Sequence, residues 1–412
     1  MLPMRLADAH RRLQERAGSP MNIPLRRVLM TADAVGGVWR YALNLAATLR
    51  DRDIEVTLAA MGPPPSLAQR RAADVAGVDV VAAPFKLEWQ DEAWPDVDRA
   101  GAWLLDLESA RRPDVVHLNG FCHASLPWQA PVLVAAHSCV CSWWQQVRGT
   151  DAPREWAEYR RRVAMGLAGA RMVVAPTAAM LGAIVREYGW VFSDARVIPN
   201  GVRRVSPATT TGGKSRLVLA AGRLWDDAKN IAALCQVAPA IEWPVYIAGD
   251  ARRPSGRVAA KPSSDDVTPT STWAHVEFLG QLDPVQLESW FDRAAIYALP
   301  ARYEPFGLSI LEAAMAGCAL VLGDIDSLRE NWSGAAVFVA PDDCDALRTG
   351  LSRLIENQRE REGLALRARE RARHLTVERA ADAYLRAYAD ARTTPAHLLA
   401  DRSPIDSLKG TP

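Results

Sequence analysis

Two glutamates in the segment Arg302–Glu312 stand where a strand, a loop and a helix are predicted to follow one another. The segment reads RYEPFGLSILE. Because Glu304 precedes a proline, its backbone is expected to be extended, and Gly307 allows the chain to turn close to a ligand. The predicted helix begins near Leu308, and its free backbone N–H groups favour an anion such as phosphate. The carboxylates of Glu304 and Glu312 can accept hydrogen bonds from sugar and ribose hydroxyls.

Two basic residues follow the predicted strand Leu217–Ala221. Arg223 and Lys229 leave the carboxyl end of this strand and flank the start of a predicted helix at Asn230. Fixed cations in this position can hold a diphosphate and stabilise the charge that grows on it as it leaves. Considered without their neighbours, the same two residues would more often be surface charges.

The first half of the chain carries two further signals. Gly36 and Gly37 stand between the first predicted strand and its helix, where backbone N–H groups can meet an anion. The pair lacks the G-x-G-x-x-G spacing of dinucleotide sites, which argues against a nicotinamide-dependent oxidoreductase. His137 follows the predicted strand Val132–Ala136 and brings a polar group to the sheet edge. The alternatives are a tight turn at the glycines and a hydrogen-bonded core histidine.

The elements that position these residues alternate between strand and helix along two stretches of chain. The first stretch begins at Leu25, and a segment rich in Pro, Gly, Ser and Thr, Pro199–Ser215, separates it from the second. Such alternation predicts parallel sheets that are covered by helices on both faces. Ligands of doubly wound sheets bind outside the carboxyl ends of the strands. The cleft between two such units is therefore the expected active site.

Composition and charge limit the possible functions. The chain of 412 residues has a net charge of +1, so no global field attracts nucleic acid. Its six cysteines form no C-x-x-C pair, which favours a reducing compartment and hence the cytoplasm. The first twenty residues lack the apolar stretch of a signal peptide, and no long apolar run occurs, so any membrane contact is expected to be peripheral. Helix caps and loops account better than a metal site does for the aspartate pairs Asp226-Asp227, Asp265-Asp266 and Asp324-x-Asp326.

Two other clusters allow more than one interpretation. The aromatic residues of Ser142–Trp144, with Trp156 and Tyr159, could form a platform for a sugar or a lipid headgroup, or could belong to the core. The run Arg160–Arg162 could contact a membrane. Consecutive helical residues do not share a face, however, so a solvated surface is the preferred interpretation.

The string E-P-F-G-L-x-x-x-E resembles the signature of retaining glycosyltransferases of the GT-B fold, in the group 1 glycosyltransferase family (family 4). The Gly-Arg and Lys motif, the N-terminal glycine pair and the strand-end histidine are similar to the family pattern too. So is the segment Ile198–Val202 between the two units. The motifs occur in the order of the family, and the resemblance covers about Leu25–Tyr388.

The resemblance implies a role for each motif residue. Arg223 and Lys229 would hold the donor diphosphate, and Glu312 would bind the nucleotide ribose. The remaining implied roles are Glu304 and the backbone of Phe306, Gly307 and Leu308 for the donor sugar and phosphates, His137 beside the transferred sugar, and Gly36 and Gly37 over the phosphates. The implied reaction is a same-face displacement in which the departing phosphate takes the acceptor proton, without a protein nucleophile, a metal or another cofactor.

We therefore expect two Rossmann-like domains of a retaining, metal-independent glycosyltransferase with a UDP-, GDP- or ADP-linked sugar donor. The acceptor would be a glycan, a lipid-linked sugar or a small molecule. The predicted parts are a flexible extension (1–24), an N-terminal acceptor-side domain (25–203) with a C-terminal crossover helix (376–392), a nucleotide-sugar-binding domain (204–375) and a loose tail (393–412). The alternatives are a nucleotide-sugar epimerase of the same fold and a non-catalytic nucleotide-sugar-binding protein.

Overall fold

The computed structural model describes residues 24–189, 194–204, 213–250 and 275–393. The predicted N-terminal extension up to residue 23, the predicted surface loop Arg252–Trp273 and the tail beyond Thr393 lie outside the described residues. None of the described helices is both long enough and apolar enough to cross a membrane.

The N-terminal half forms a parallel sheet of seven strands in the order β3-β2-β1-β4-β5-β6-β7. The strands are β1 (Arg27–Asp33), β2 (Glu55–Met61), β3 (Asp79–Ala82), β4 (Val115–Leu118), β5 (Val132–Ala135), β6 (Met172–Ala175) and β7 (Ala195–Val197). Every residue of β4, β5 and β6 is buried. Continuously buried strands of this kind, apolar except for His117 of β4, arise because helices cover both faces of a parallel sheet.

Six helices accompany this sheet. They are α1 (Gly37–Arg50), α2 (Leu67–Ala76), α3 (Trp94–Arg111), α4 (Val140–Arg148), α5 (Ala157–Gly169) and α6 (Ala178–Tyr188). The hydroxyl of Thr177 accepts a hydrogen bond from the backbone N–H of Met180, which confirms the predicted cap of α6.

The C-terminal half forms a second parallel sheet, of six strands in the order β10-β9-β8-β11-β12-β13. The strands are β8 (Ser215–Ala221), β9 (Val245–Ala248), β10 (Val276–Gly280), β11 (Ala294–Leu299), β12 (Ala319–Gly323) and β13 (Ala336–Val339). The helices are α7 (Ile231–Val237), α8 (Pro284–Arg293), α9 (Leu308–Met315), α10 (Asp326–Trp332), α11 (Cys344–Glu356) and α12 (Gln358–Ala372). Two doubly wound sheets confirm the predicted fold class, whereas the predicted domain limits stay a prediction. We refer to the two halves as the N-terminal and C-terminal lobes.

The last helix, α13 (Val377–Thr393), returns to the N-terminal lobe and packs against α1. Its Tyr384 and Tyr388 are buried in the same apolar cluster as Met30 of β1. The two chain crossings between the lobes touch each other. A Cβ placed on Gly201 would lie 2.1 Å from the carbonyl carbon of Thr376, so only glycine allows this approach.

Polar contacts join the lobes on the side of α4 and α6. The hydroxyl of Tyr303 accepts a hydrogen bond from the backbone N–H of Cys139 at 3.1 Å and is hydrogen-bonded to the Ser142 hydroxyl at 2.9 Å. The hydroxyl of Thr177 donates to the carbonyl of Pro305 at 3.0 Å. The loop that precedes α9 therefore touches the N-terminal lobe directly.

Candidate functional site

The predicted site residues lie at the carboxyl ends of β1, β5, β8 and β11, and the residues from β1, β8 and β11 meet between the lobes. A Cβ placed on Gly36 would lie 3.6 Å from Nη1 of Arg223, and one placed on Gly37 would lie 3.4 Å from Cδ1 of Leu308. The glycine pair of the N-terminal lobe thus reaches the two predicted motifs of the C-terminal lobe. This arrangement places the motifs where doubly wound sheets bind their ligands.

The turn into α1 depends on Gly36. Its φ of +108° lies in a region that residues with a side chain rarely adopt. No side chain caps α1 at this end, and its first turn carries no acidic residue. The first backbone N–H groups of α1 therefore remain available to an anion between the lobes.

Arg223 is held by groups from its own loop. Its Nη2 donates to Oδ2 of Asp226 at 2.6 Å, and its guanidinium lies 5.1 Å from the ring centroid of Trp225. Asp226 also accepts a hydrogen bond from the indole N–H of Trp143 in α4, at 3.2 Å. The guanidinium is therefore oriented before any ligand arrives, and part of that orientation comes from the N-terminal lobe.

Lys229 and Glu304 form an ion pair. Nζ of Lys229 lies 2.6 Å from Oε2 of Glu304, and each side chain is only 14% exposed. The Ser327 hydroxyl donates to the backbone carbonyl of Glu304 at 2.7 Å. Asn230, with φ of +54°, follows the lysine and donates its amide N–H groups to the carbonyls of Pro300 and Pro341. These contacts fix both charged groups at one edge of the sheet.

The loop between β11 and α9 presents backbone rather than an apolar side chain. Phe306 is buried in the core of the C-terminal lobe, so its main chain is the part left for a ligand. Gly307 has a φ of +87° and is the N-cap residue of α9, whose N-terminus no side chain caps by a hydrogen bond. The N-terminus of α9 thus offers a second set of free N–H groups beside Arg223 and Lys229.

Glu312 lies deeper on α9 and contacts the opposite lobe. Its carboxylate forms an ion pair with Arg40 of α1, whose guanidinium also lies 3.5 Å from the carboxylate of Glu288. Burial raises the pKa of Glu312 from 4.5 to about 7, against the opposing charge of Arg40. Sequence reasoning missed Arg40, although it follows the glycine pair by less than one helical turn.

His137 lies in a polar group at the carboxyl edge of the N-terminal sheet. Its Nε2 lies 2.9 Å from Oδ1 of Asn119, while the amide N–H of Asn119 donates to the carbonyl of Thr31 at 2.6 Å. Because this orients the Asn119 oxygen towards the histidine, Nε2 must carry the proton. Burial lowers the pKa of His137 to about 4, so the ring is neutral near neutral pH. Tyr41 packs edge-on against it, with centroids 4.4 Å apart.

Asp33 is a second residue that sequence reasoning missed. It ends β1 just before the glycine pair, and its carboxylate accepts a hydrogen bond from the N–H of Val35 at 2.9 Å. Burial raises its pKa to about 6, against the charge of Arg223. Its signal in the sequence was its place at the carboxyl end of the first strand.

The two clusters with alternative interpretations take part in ordinary packing and pairing. Trp144 is buried, and Trp143 and Trp156 pack against the core of the N-terminal lobe. Arg161 pairs with Glu158, and the other two arginines of the run have acidic partners as well. Among the residues that the structure describes, no group of three or more His, Cys, Asp or Glu side chains is arranged to hold a metal ion.

Comparison with known proteins gives matches in both lobes. The family model described as Glycosyltransferase Family 4 matches residues 35–204, and the model described as Glycosyl transferases group 1 matches residues 215–357. The phosphatidyl-myo-inositol mannosyltransferase of Mycolicibacterium smegmatis is 30% identical over 43% of this chain and 47% of its own length. The relative of the same name from Mycobacterium leprae is 25% identical over 88% of this chain and 95% of its own length. The alignments with the first of these curated relatives span about half of the relatives' length.

Solved structures share the architecture at low sequence identity. Sucrose-phosphate synthase from Thermosynechococcus elongatus superposes with a TM-score of 0.69 at 18% identity, covering 88% of this chain and 98% of that structure. Anabaena HepE, solved in complex with UDP-glucose, gives 0.66 at 16% identity, covering 88% and 100%.

Two parallel α/β sheets, one in each lobe, together with these structural neighbours, define the GT-B fold. The N-terminal lobe is similar to the Glycosyltransferase Family 4 model and the C-terminal lobe is similar to the Glycosyl transferases group 1 model, so each lobe resembles glycosyltransferases.

Proposed function

We propose that this chain transfers a sugar from a nucleotide-sugar donor to an acceptor hydroxyl, and that the site between the lobes carries out the transfer. The observation that carries the proposal is that the uncapped N-termini of α1 and α9 lie close together between the lobes, with Arg223 beside the glycine pair that begins α1. Lys229 lies on the same loop as Arg223. Together these groups supply positive potential and N–H donors to a diphosphate. The complex of HepE with UDP-glucose supports a donor of this class.

Each part of the nucleotide sugar has a matching set of residues in the proposed site. Arg223 and Lys229 hold the diphosphate and stabilise its charge as the sugar departs. Glu304 and the backbone of Phe306, Gly307 and Leu308 hold the sugar and its phosphates, and neutral His137 lies beside the transferred sugar. Glu312 accepts hydrogen bonds from the ribose hydroxyls.

We propose retention of configuration at the anomeric carbon. The bond from this carbon to the phosphate oxygen breaks, a bond to the acceptor oxygen forms on the same face, and the acceptor proton passes to the departing phosphate. The pairing of Glu304 with Lys229 and of Asp226 with Arg223 supports a route without a carboxylate nucleophile. The two cations also supply charge that a metal ion would otherwise provide, so we propose that transfer is independent of added metal.

The acceptor is proposed to be a glycan, a lipid-linked sugar or a small molecule with a free hydroxyl. The names of the mycobacterial mannosyltransferases support a lipid-borne acceptor. A cytoplasmic protein would reach such an acceptor from the membrane surface, and the free state of all six cysteines supports a reducing compartment.

The proposal is tested with Arg223→Ala against a panel of UDP-, GDP- and ADP-sugars. A true donor should raise the melting temperature of the parent by mass action. Arg223→Ala should weaken donor binding by roughly tenfold to a hundredfold and lower kcat by about a hundredfold or more, because a charge-assisted contact is lost. The matched control is Arg348→Ala, since Arg348 pairs with Asp345 on the exposed face of α11 in the same lobe. Full donor binding and turnover in Arg223→Ala would refute the diphosphate assignment.

The mechanism is tested on the product. The anomeric configuration read by NMR should match that of the donor, and transfer should survive a chelator. An inverted product would overturn retention, and loss of activity that added divalent metal restores would overturn metal independence. Conversion of the donor sugar without any acceptor would instead indicate an epimerase.

A further inference from the structure

Arg40 crosses from the N-terminal lobe to the buried carboxylate that the proposed function assigns to the donor ribose. It is paired with Glu312, and its Nη2 lies 3.5 Å from Oε1 of Glu288. The Arg40 side chain is 21% exposed, whereas the two acids are 7% and 5% exposed. Buried pairs depend strongly on their partner, because removing one charge leaves the other uncompensated.

The charged groups around Glu312 make Arg40 its main source of positive charge. The positive charge of Arg204 also attracts Glu312 and Glu288. Both terminal nitrogens of Arg204, however, donate hydrogen bonds to the carboxylate of Asp292, at 2.9 and 2.7 Å. The cluster of these five side chains holds three acids and two arginines. Without Arg40, the negative charge of Glu288 and burial would both oppose ionisation of Glu312.

One donor of this cluster has no hydrogen-bond partner among the described residues. Nη2 of Arg40 is buried and makes no hydrogen bond there. Buried donors are nearly always paired in native proteins, so this N–H is suited to a ligand acceptor. A ribose hydroxyl can accept a hydrogen bond from Arg40 and at the same time donate one to Glu312.

We propose that Arg40 is a positioning residue of the donor site: it orients the Glu312 carboxylate and offers a hydrogen bond to the same pair of ribose hydroxyls. The proposal rests on the proposed function, because it concerns the ribose of that donor. Residues of both lobes then hold the ribose, and donor affinity becomes tied to the approach of α1 to α9.

The experiment measures binding of UDP, GDP and ADP, and of the 2′,3′-dideoxy form of whichever binds best, by calorimetry over about pH 6 to pH 9. The variants are Arg40→Gln, Arg40→Lys and Glu312→Gln. Arg50→Gln is the control, since Arg50 is exposed on the same helix and donates to the carbonyl of Ala76.

The parent should prefer the ribose form over the dideoxy form. Arg40→Gln should lose about tenfold in affinity for the ribose form, and much of the preference, because one charge-assisted hydrogen bond is lost. The affinity that remains in Arg40→Gln should rise with pH, and the rise should occur at a higher pH than in the parent, because Glu312 then ionises at a higher pH. Arg40→Lys keeps the charge but not the planar fork, so the parent's pH profile should return with a reduced preference. In Glu312→Gln the affinity should not rise with pH, because this side chain does not titrate.

The outcomes separate the two proposals. If no nucleoside diphosphate binds the parent, the proposed function fails and this inference with it. If the parent binds and Arg40→Gln shows the same affinity, ribose preference and pH profile, the inference about Arg40 is overturned while the donor site stands. Thermal unfolding of each variant shows whether it is folded, and Arg40→Lys provides the same test with the charge retained.

Discussion

Replacing Glu312 with glutamine should change the pH dependence of stability in a direction that the surroundings of Glu312 determine. Burial raises the pKa of Glu312 from 4.5 to about 7 in the folded protein. The folded state therefore holds this proton more tightly than the unfolded state does. The resulting stabilisation is fully present below about pH 4.5 and is lost as the pH rises through about 7.

The size of the effect follows from the shift. Each pKa unit corresponds to about 1.4 kcal/mol, so the shift of Glu312 is worth on the order of 3 kcal/mol. Glutamine has almost the same shape and does not titrate. The unfolding free energy of Glu312→Gln, relative to that of the parent, should therefore increase by about 3 kcal/mol as the pH is raised from about 4.5 to about 8. The other titrating groups are common to both proteins and cancel in the difference.

The assay is urea unfolding of the parent and of Glu312→Gln at several pH values, monitored by the transition of the C-terminal lobe. The quantity of interest is the difference in unfolding free energy between the two proteins. Adding Arg40→Gln to the parent should steepen its pH dependence, whereas adding it to Glu312→Gln should not. A difference that stays constant within about 0.5 kcal/mol from acid to alkaline pH would refute the reasoning.

Three other perturbations have defined outcomes. Gly201→Ala should lower the melting temperature and weaken donor binding, because its Cβ would lie 2.1 Å from the backbone of Thr376. Gly213→Ala should leave both unchanged, because its Cβ would have no atom of the described residues within 4 Å. Tyr388→Phe should cost about 1–3 kcal/mol in urea unfolding, since the hydroxyl lies 2.6 Å from Nδ1 of buried His117 and the ring nitrogen would lose its partner. Burial lowers the pKa of His117 from 6.5 to about 3, so its stabilising contribution is present above pH 6.5 and is lost as the pH falls. When the pH is lowered from about 7 to about 5, the unfolding free energy of His117→Gln should therefore decrease less than that of the parent.

Much of the fold could be predicted because buried parallel strands are continuous apolar runs. The β5 run Val132–Ala135 and the β12 run Ala319–Gly323 are fully buried and apolar, and such runs stand out between polar helix termini. The helix Leu67–Ala76 was missed. Only Ala73 in it is buried, so the apolar periodicity that identifies a helix is absent. A capping box at Ser66 fixes its start instead.

The candidate site was predicted from residues that follow predicted strands and from their resemblance to the family motifs. Arg223 with Lys229, and Glu304 with Glu312, follow predicted strands of one sheet, so the rule that ligands bind at the carboxyl ends of strands predicted their shared edge. Arg40 escaped prediction because its partner Glu312 lies in the other lobe, and no local pattern encodes how two lobes face each other. The contact between them is a property of tertiary packing.

The contacts between the lobes suggest why a diphosphate site would be placed there. On one side Trp143 bonds to Asp226, and on the other Arg40 pairs with Glu312. Water can replace polar contacts of this kind when the lobes separate. Arg223 meets the glycine pair only while the lobes are together. A donor that requires both would therefore stabilise the closed arrangement, and transfer would take place where bulk water has been displaced.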